Sequence, residues 1–388
     1  VLKACFRKAV GYICSQLEHW LVMCKTLTDQ NASEKPLNAV WAAVIRVLSE
    51  YKPLIVIVSA YVLIAQTLYR PRPEVVGGNE LQSDAVAALL VDRLAPGLFI
   101  IAALTILWGA LPKMGIMEDR HKATFISPFT AITKDGGEPL IRLTIGLSLL
   151  AFLVVTFAGV KAQIPNLSPF HWDMALYRLD HALHVGVDPW RITWFLFGSD
   201  AATVIIDRLY FSWFLVIHVA LFATMLFDQN TSRRRQYMLT YVLIWTVLGT
   251  FLAIVFSSAG PCYMADLQNG NTSYAPLMSQ LDNVSSQYFL TSQFLQSQLW
   301  AAYTANLVTN YGISAMPSLH VAHAVLLILL ARSHGKLLTN MAAGYAIIIL
   351  IGSVHLGWHY AVDGYFAAIA TLALWRASGW WVDRKGRA

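Results

Sequence analysis

Residues 143–160 read LTIGLSLLAFLVVTFAGV, eighteen residues without a single Asp, Glu, Lys or Arg. A bilayer core is crossed by about 20 apolar residues in helical form, so this stretch is long enough to span one with its flanks. Charge-free windows of the same kind lie at 53–69, 94–112, 209–227, 236–265, 311–331 and 337–362, with a last apolar run at 364–375. They predict an all-α, polytopic integral membrane protein of about eight transmembrane helices. The whole chain agrees: 57% of its 388 residues are hydrophobic and 13% are charged, where a soluble domain carries about 25%. That balance excludes disordered, collagen-like and disulfide-scaffold classes. The four cysteines, Cys5, Cys14, Cys24 and Cys262, have neither disulfide-framework nor zinc spacing and are expected to be free thiols.

The net charge of +6 follows membrane sidedness, so nucleic acid is not expected as a partner. With the N-terminus placed in the cytoplasm, the inside loops hold 21 of the 28 basic residues. The outside retains only Arg70, Arg72, Arg93, Lys161, Arg178, Arg191 and Arg208. This bias predicts cytoplasmic N- and C-termini. Between Arg235 and Arg332 no basic residue occurs, as expected of a long non-cytoplasmic loop. Three parts are expected: a cytoplasmic amphipathic N-terminal segment over 1–52, two accessory membrane helices with a cytoplasmic loop over 53–139, and a functional core over 140–388. The first 35 residues are expected to form a surface helix or a cytosolic cap; charge interrupts their apolar run, unlike a signal peptide. The segment 166–200 is expected to lie at the outer interface, and the Ser-, Gln- and Asn-rich segment 270–298 to be a polar loop.

Two short segments carry the chemistry. Gly312-Ile313-Ser314-Ala315-Met316-Pro317-Ser318-Leu319-His320 opens one helix, and His355-Leu356-Gly357-Trp358-His359-Tyr360-Ala361-Val362-Asp363 joins the last two. The topology puts both on the outer side. Pro317 and Ser318 at a helix start offer unpaired N–H groups and a hydroxyl beside His320, an anion-binding arrangement. His359 and Asp363 are four apart and, on a helix, share a face; the carboxylate can then orient the imidazole for attack. His320 can protonate a leaving oxygen. Each histidine taken singly can equally be a hydrogen-bonded structural residue. Asp363 is harder to dismiss, because a carboxylate drawn toward mid-bilayer costs up to ~3 kcal/mol and so needs a partner. His323 and His355 add a further alternative, a cluster of imidazoles able to hold a metal.

The run Met316-Pro317-Ser318-Leu319-His320, followed some forty residues later by His359-Tyr360 and Asp363, resembles the two C-terminal signatures of the type-2 phosphatidic acid phosphatase superfamily. Within it, Ala315-Met316-Pro317-Ser318-Leu319-His320 is similar to the form found in inositol phosphorylceramide synthases. The resemblance covers about 250 residues, from the helix at Leu143 to the C-terminus. It implies a six-helix core, a phosphohistidine at His359, orientation of that ring by Asp363, and protonation of the departing oxygen by His320. It implies neither a metal nor a cofactor. Lipid phosphatases of the superfamily also carry an upstream Lys with an Arg-Pro pair and an Arg before the nucleophile. Here the stretch from Arg235 to Arg332 is bare, Ser353 stands in the place of the later Arg, and Arg70-Pro71 and Arg72-Pro73 lie outside the resemblance. A phosphodiester, less charged than a monoester, suits a site so poor in cations.

The expected function is therefore a membrane phosphotransferase of sphingolipid or phospholipid metabolism. It would move a phosphoryl-linked head group, inositol phosphate by the resemblance, from a phospholipid donor to a lipid alcohol. The catalytic residues would be His359, His320 and Asp363. Ser318, Ser314, His355, Arg178, Asp173 and Asp180 are candidates for substrate binding; the two aspartates, seven apart on one helix face, are either head-group contacts or a solvated face. Alternatives are a lipid phosphatase with water as acceptor, a metal-dependent hydrolase using His320, His355, His359 and Asp363, and a transporter with an intramembrane proton path. Tyr210 and Trp213 read as core or interface anchors, and Gly260-Pro261-Cys262-Tyr263 as a turn at the membrane exit. No spacing supports thiol catalysis at Cys262.

Overall fold

A computed structural model describes residues 35–68, 137–267, 272–305 and 312–386. The surface helix expected over the first 35 residues lies, but for Lys35, outside the described residues, as does the window at 94–112. Those described contain helices and no strand. Among the described residues five helices are long and apolar enough to cross a membrane: Val40–Thr67, Glu138–Leu167, Asp200–Phe227, Thr231–Val255 and Lys336–His355. The chain divides into two compact units, Val1–Phe152 with Leu215–Arg235, and Leu153–Phe214 with Gln236–Ala388.

In the first unit, α1 (Lys35–Leu68) begins well before the expected window and carries Pro53 in its interior. Charge marks the expected start at residue 53, yet the helix tolerates its charges because they are paired. Glu50, buried, takes both arms of the Arg234 guanidinium at 2.7 Å, and Arg234 also donates to the Asp228 carbonyl at 2.5 Å. Arg46 reaches Glu138 at 2.8 Å. Arg142, 3% exposed, donates to the Met225 carbonyl at 3.1 Å. A buried bidentate pair of this kind satisfies both ions where a lone one would be expelled.

The second unit follows the C-terminal half of α2 (Glu138–Leu167) into two short helices, α3 (Asp173–Leu183) and α4 (Pro189–Phe197). α5 (Asp200–Phe211) ends at Ser212, and α6 (Trp213–Phe227) carries the chain on, its residues from Leu215 belonging to the first unit. α7 (Thr231–Leu243) runs on as a π-helix, Ile244–Leu252, and ends by Val255. The apolar window at 236–265 therefore stops being a single helix ten residues early, because Gly260-Pro261 turns the chain into a 3-10 turn at Pro261–Tyr263. The segment 270–298 is not a plain loop: it holds α8 (Ala275–Ser285) and most of α9 (Thr291–Thr304). Polar composition hid them, but Leu277, Leu281 and Val284 recur at helical spacing and are buried. α10 (Leu319–Ala331) is a thirteen-residue helix that Ser318 caps. α11 (Lys336–His355) and α12 (Ala361–Gly386) complete the chain.

Candidate active site

Three irregular segments, 256–263, 312–318 and 356–360, are sewn together by their own backbones. Ala315 N–H donates to the Ser258 carbonyl at 2.8 Å, and Cys262 N–H to the Gly357 carbonyl at 3.0 Å. Ser318 N–H reaches the Asp363 carbonyl at 3.4 Å. Gly260 sits where they meet, at φ 103°, and a Cβ there would lie 2.7 Å from the Trp358 carbonyl oxygen and 3.1 Å from Ala315. Only glycine takes that backbone and leaves that room. The turn expected at Gly260-Pro261-Cys262-Tyr263 is thus a junction of the site.

His359 lies just before α12, and Asp363 lies in its first turn. The expectation that both share a helical face is corrected: the pair meets across a helix start. His359 Nδ1 stands 3.3 Å from Asp363 Oδ2, and the same oxygen accepts the Tyr360 N–H at 3.2 Å. Asp363 Oδ1 is buried and has no hydrogen-bond partner among the described residues. Burial first, then the Lys161 ammonium, holds the His359 imidazole down to about 3, while a hydrogen bond with the Ala315 backbone pulls the other way. The ring is therefore neutral at ordinary pH.

His320, in the first turn of α10, faces it. The two imidazole centroids are 5.8 Å apart. Tyr210 stacks on His320 at 4.5 Å with planes 20° apart, and Trp213 packs on it at 4.3 Å. These aromatics were expected only to be anchors; they fix the His320 ring, and the apolar run they lie in carried no sign of that. Lys161 acts electrostatically on both imidazoles. Its backbone carbonyl and the following amide press on Gly312, where a Cβ would collide with them. α2 and the segment leading to His320 are in direct contact there.

The other candidates fall at different places. Ser318 is buried and its hydroxyl accepts the Val321 N–H at 3.5 Å as the cap of α10. Ser314 is half-buried in the extended stretch before it. His355 is drawn away from the two imidazoles: its Nε2 is 3.0 Å from Thr203 Oγ1, and its ring stacks on Trp194 at 4.7 Å. Arg178 is exposed on α3 and makes no hydrogen bond or ion pair among the described residues. Asp173 and Asp180 are each 1% exposed, so they form no solvated face. Asp173 accepts from Ser258 Oγ (2.8 Å), Ala259 N–H (3.0 Å), Gly260 N–H (2.8 Å) and Tyr360 Oη (3.2 Å). Asp180 accepts from Ala361 N–H (3.0 Å) and Val362 N–H (3.1 Å). Among the described residues no three His, Cys, Asp or Glu side chains are grouped so as to hold a metal ion. Burial pushes the Cys262 thiol up, away from its reactive thiolate.

Two imidazoles, His320 and His359, and one carboxylate, Asp363, thus meet near Lys161 among the described helices. The chain belongs to the PAP2 superfamily, whose family model matches residues 174–378, more than half of its length. Membership points to an enzyme of lipid phosphatase or phosphotransferase type. No curated protein and no solved structure matches the chain.

Proposed function

We propose that the protein is a membrane phosphotransferase in which His359 attacks the phosphorus of a phospholipid phosphodiester. The bond from phosphorus to the lipid alcohol breaks, and His320 gives its proton to the departing oxygen. His320 then takes the proton of a second lipid alcohol, which attacks the phosphohistidine and frees His359. Asp363 holds the ring by Nδ1 and balances the charge that appears on it in the transition state. The Lys161 ammonium stands for the superfamily cations that this chain lacks. The carrying observation is the 5.8 Å approach of His320 to a His359 paired with Asp363. Within this reading the outer leaflet supplies the substrates, residues 140–388 form the working core, and the head group is inositol phosphate passed to a ceramide-like alcohol. These finer points rest on the charge bias of the loops and on the signature Ala315–His320.

With water in place of the second alcohol the same residues make a phosphatase, the reading the family name favours. The test is direct. Purified protein in detergent is given phospholipids labelled in the head-group phosphate together with ceramide or diacylglycerol, and the products are separated by mass spectrometry. Label in a second lipid is the expected result, and water-soluble label alone means the phosphatase. His359→Ala is expected to lose at least ~10³-fold in turnover, as nucleophile removal does elsewhere. Equal product from that variant overturns both readings.

A further inference from the structure

The first amides of any helix lack acceptors within it. In α12 they are met from outside. Asp180 offers one carboxylate oxygen to Ala361 N–H and the other to Val362 N–H, at 3.0 and 3.1 Å, across 181 and 182 residues of chain. Asp363 folds back to the Tyr360 N–H at 3.2 Å. Three consecutive amides directly after His359 are therefore tied to two carboxylates. Asp173, on the same buried face of α3, takes the Tyr360 hydroxyl at 3.2 Å and the amides of Ala259 and Gly260. Tyr360 is thus held at both ends, by Asp363 and by Asp173.

We propose that α3 is a positioning element of the reaction: Asp180 and Asp173 hold the backbone from His359 to Asp363 in the geometry that lets the His359 ring meet Asp363 and face His320. The inference rests on His359 being the nucleophile. Because His359 precedes its helix, helical geometry alone does not fix its distance to Asp363. Fastening from a second element does, and a displacement of about 1 Å at a reacting group costs about 100-fold in rate. The ionised carboxylate is the form that grips the two amides best. Burial pushes Asp180 up to about 6; the Ala361 and Val362 amides oppose that, Asp363 adds to it and His184 counters it. Facing it are His184 at the end of α3, Asp363 and Tyr365 on α12, and Tyr274 before α8. The grip strengthens as the pH rises through about 6 and loosens as it falls through that value.

The experiment measures kcat and KM of lipid transfer against pH for the full chain, with Asp180→Asn and Tyr360→Phe, and traps the phosphoenzyme by an alkaline quench, in which the P–N bond of a phosphohistidine survives. Asp180→Asn is expected to lower kcat by roughly 10- to 100-fold with KM within about twofold, and to lack the acid limb near pH 6 expected of the wild type. Tyr360→Phe keeps the ring and removes one donor to Asp173; it is expected to lower kcat about 3- to 10-fold at unchanged melting temperature. It carries the test if Asp180→Asn does not fold. A rise in KM at wild-type kcat would make the aspartates substrate contacts and overturn the proposal, as would wild-type kcat with an unaltered pH profile. If the wild type traps no phosphoenzyme and His359→Ala stays active, the nucleophile reading has failed. If His359→Ala is dead and Asp180→Asn is normal, the positioning role alone has failed.

Discussion

Lys161 lies in a membrane-spanning helix and makes no hydrogen bond or ion pair among the described residues. A half-buried ammonium without an anion is costly, and its electrostatic neighbours are the two imidazoles. A phosphodiester between those rings would supply the missing negative charge. Lys161→Met, close in shape and without charge, is expected to raise KM for the donor by about 10- to 100-fold, the worth of a charge-assisted hydrogen bond of about 1.5–3 kcal/mol. Lys161→Arg should recover part of it. Unchanged KM in steady-state assays would assign the anion to the amides at the start of α10 instead. Lys161 was legible in the sequence as one of seven outer-side cations, but its standing beside the histidines was not, because that depends on Gly312 packing against its backbone. Tyr210 and Trp213 were opaque for the same reason. Their residue types suit any apolar helix, and only the tertiary fold brings them to a histidine 110 and 107 positions later on.

At the scale of elements, the site is a meeting of helix ends rather than of helix faces. Asp180 serves the start of α12, and Asp207 on α5 does the same for α9, accepting the amides of Thr291 and Ser292 at 2.9 Å and the Ser292 hydroxyl. The spacing of Asp173 and Asp180 showed one shared face. It could not say that this face points inward, since the donors they serve belong to distant segments. The same limit made His359 and Asp363 look like one helical pair. Gly260 joins these ends, so Gly260→Ala tests whether the junction matters to chemistry. Its φ of 103° and the Trp358 carbonyl 2.7 Å from a Cβ predict a loss of about 1–3 kcal/mol in stability. Turnover should fall more steeply than the melting temperature, because the segments bearing both histidines are displaced. Normal kcat in a destabilised variant would show that the junction supports folding only.

At the scale of the whole molecule, hydropathy made the membrane helices readable, since a long charge-free run has few other uses. Their ends were less so: charges at Arg46 and Glu50 lie inside α1 because Glu138 and Arg234 neutralise them, which no local window contains. Sidedness was read from 21 of 28 basic residues and makes a definite demand. The turn after α3, where Val185 is 92% exposed, must face the outer side, and Asn340, exposed on α11, the cytoplasm. Single cysteines at these two positions, in a background with Cys5, Cys14, Cys24 and Cys262 replaced by alanine, separate the orientations. In sealed right-side-out vesicles a membrane-impermeant maleimide is expected to label Val185→Cys at once and Asn340→Cys only after detergent is added. The reverse pattern would put His320 and His359 at the cytoplasmic surface, where donor lipids of the inner leaflet would be the substrates. Labelling of both without detergent would mean that the vesicles leak, and the impermeant probe's failure to reach an enclosed dye checks for that.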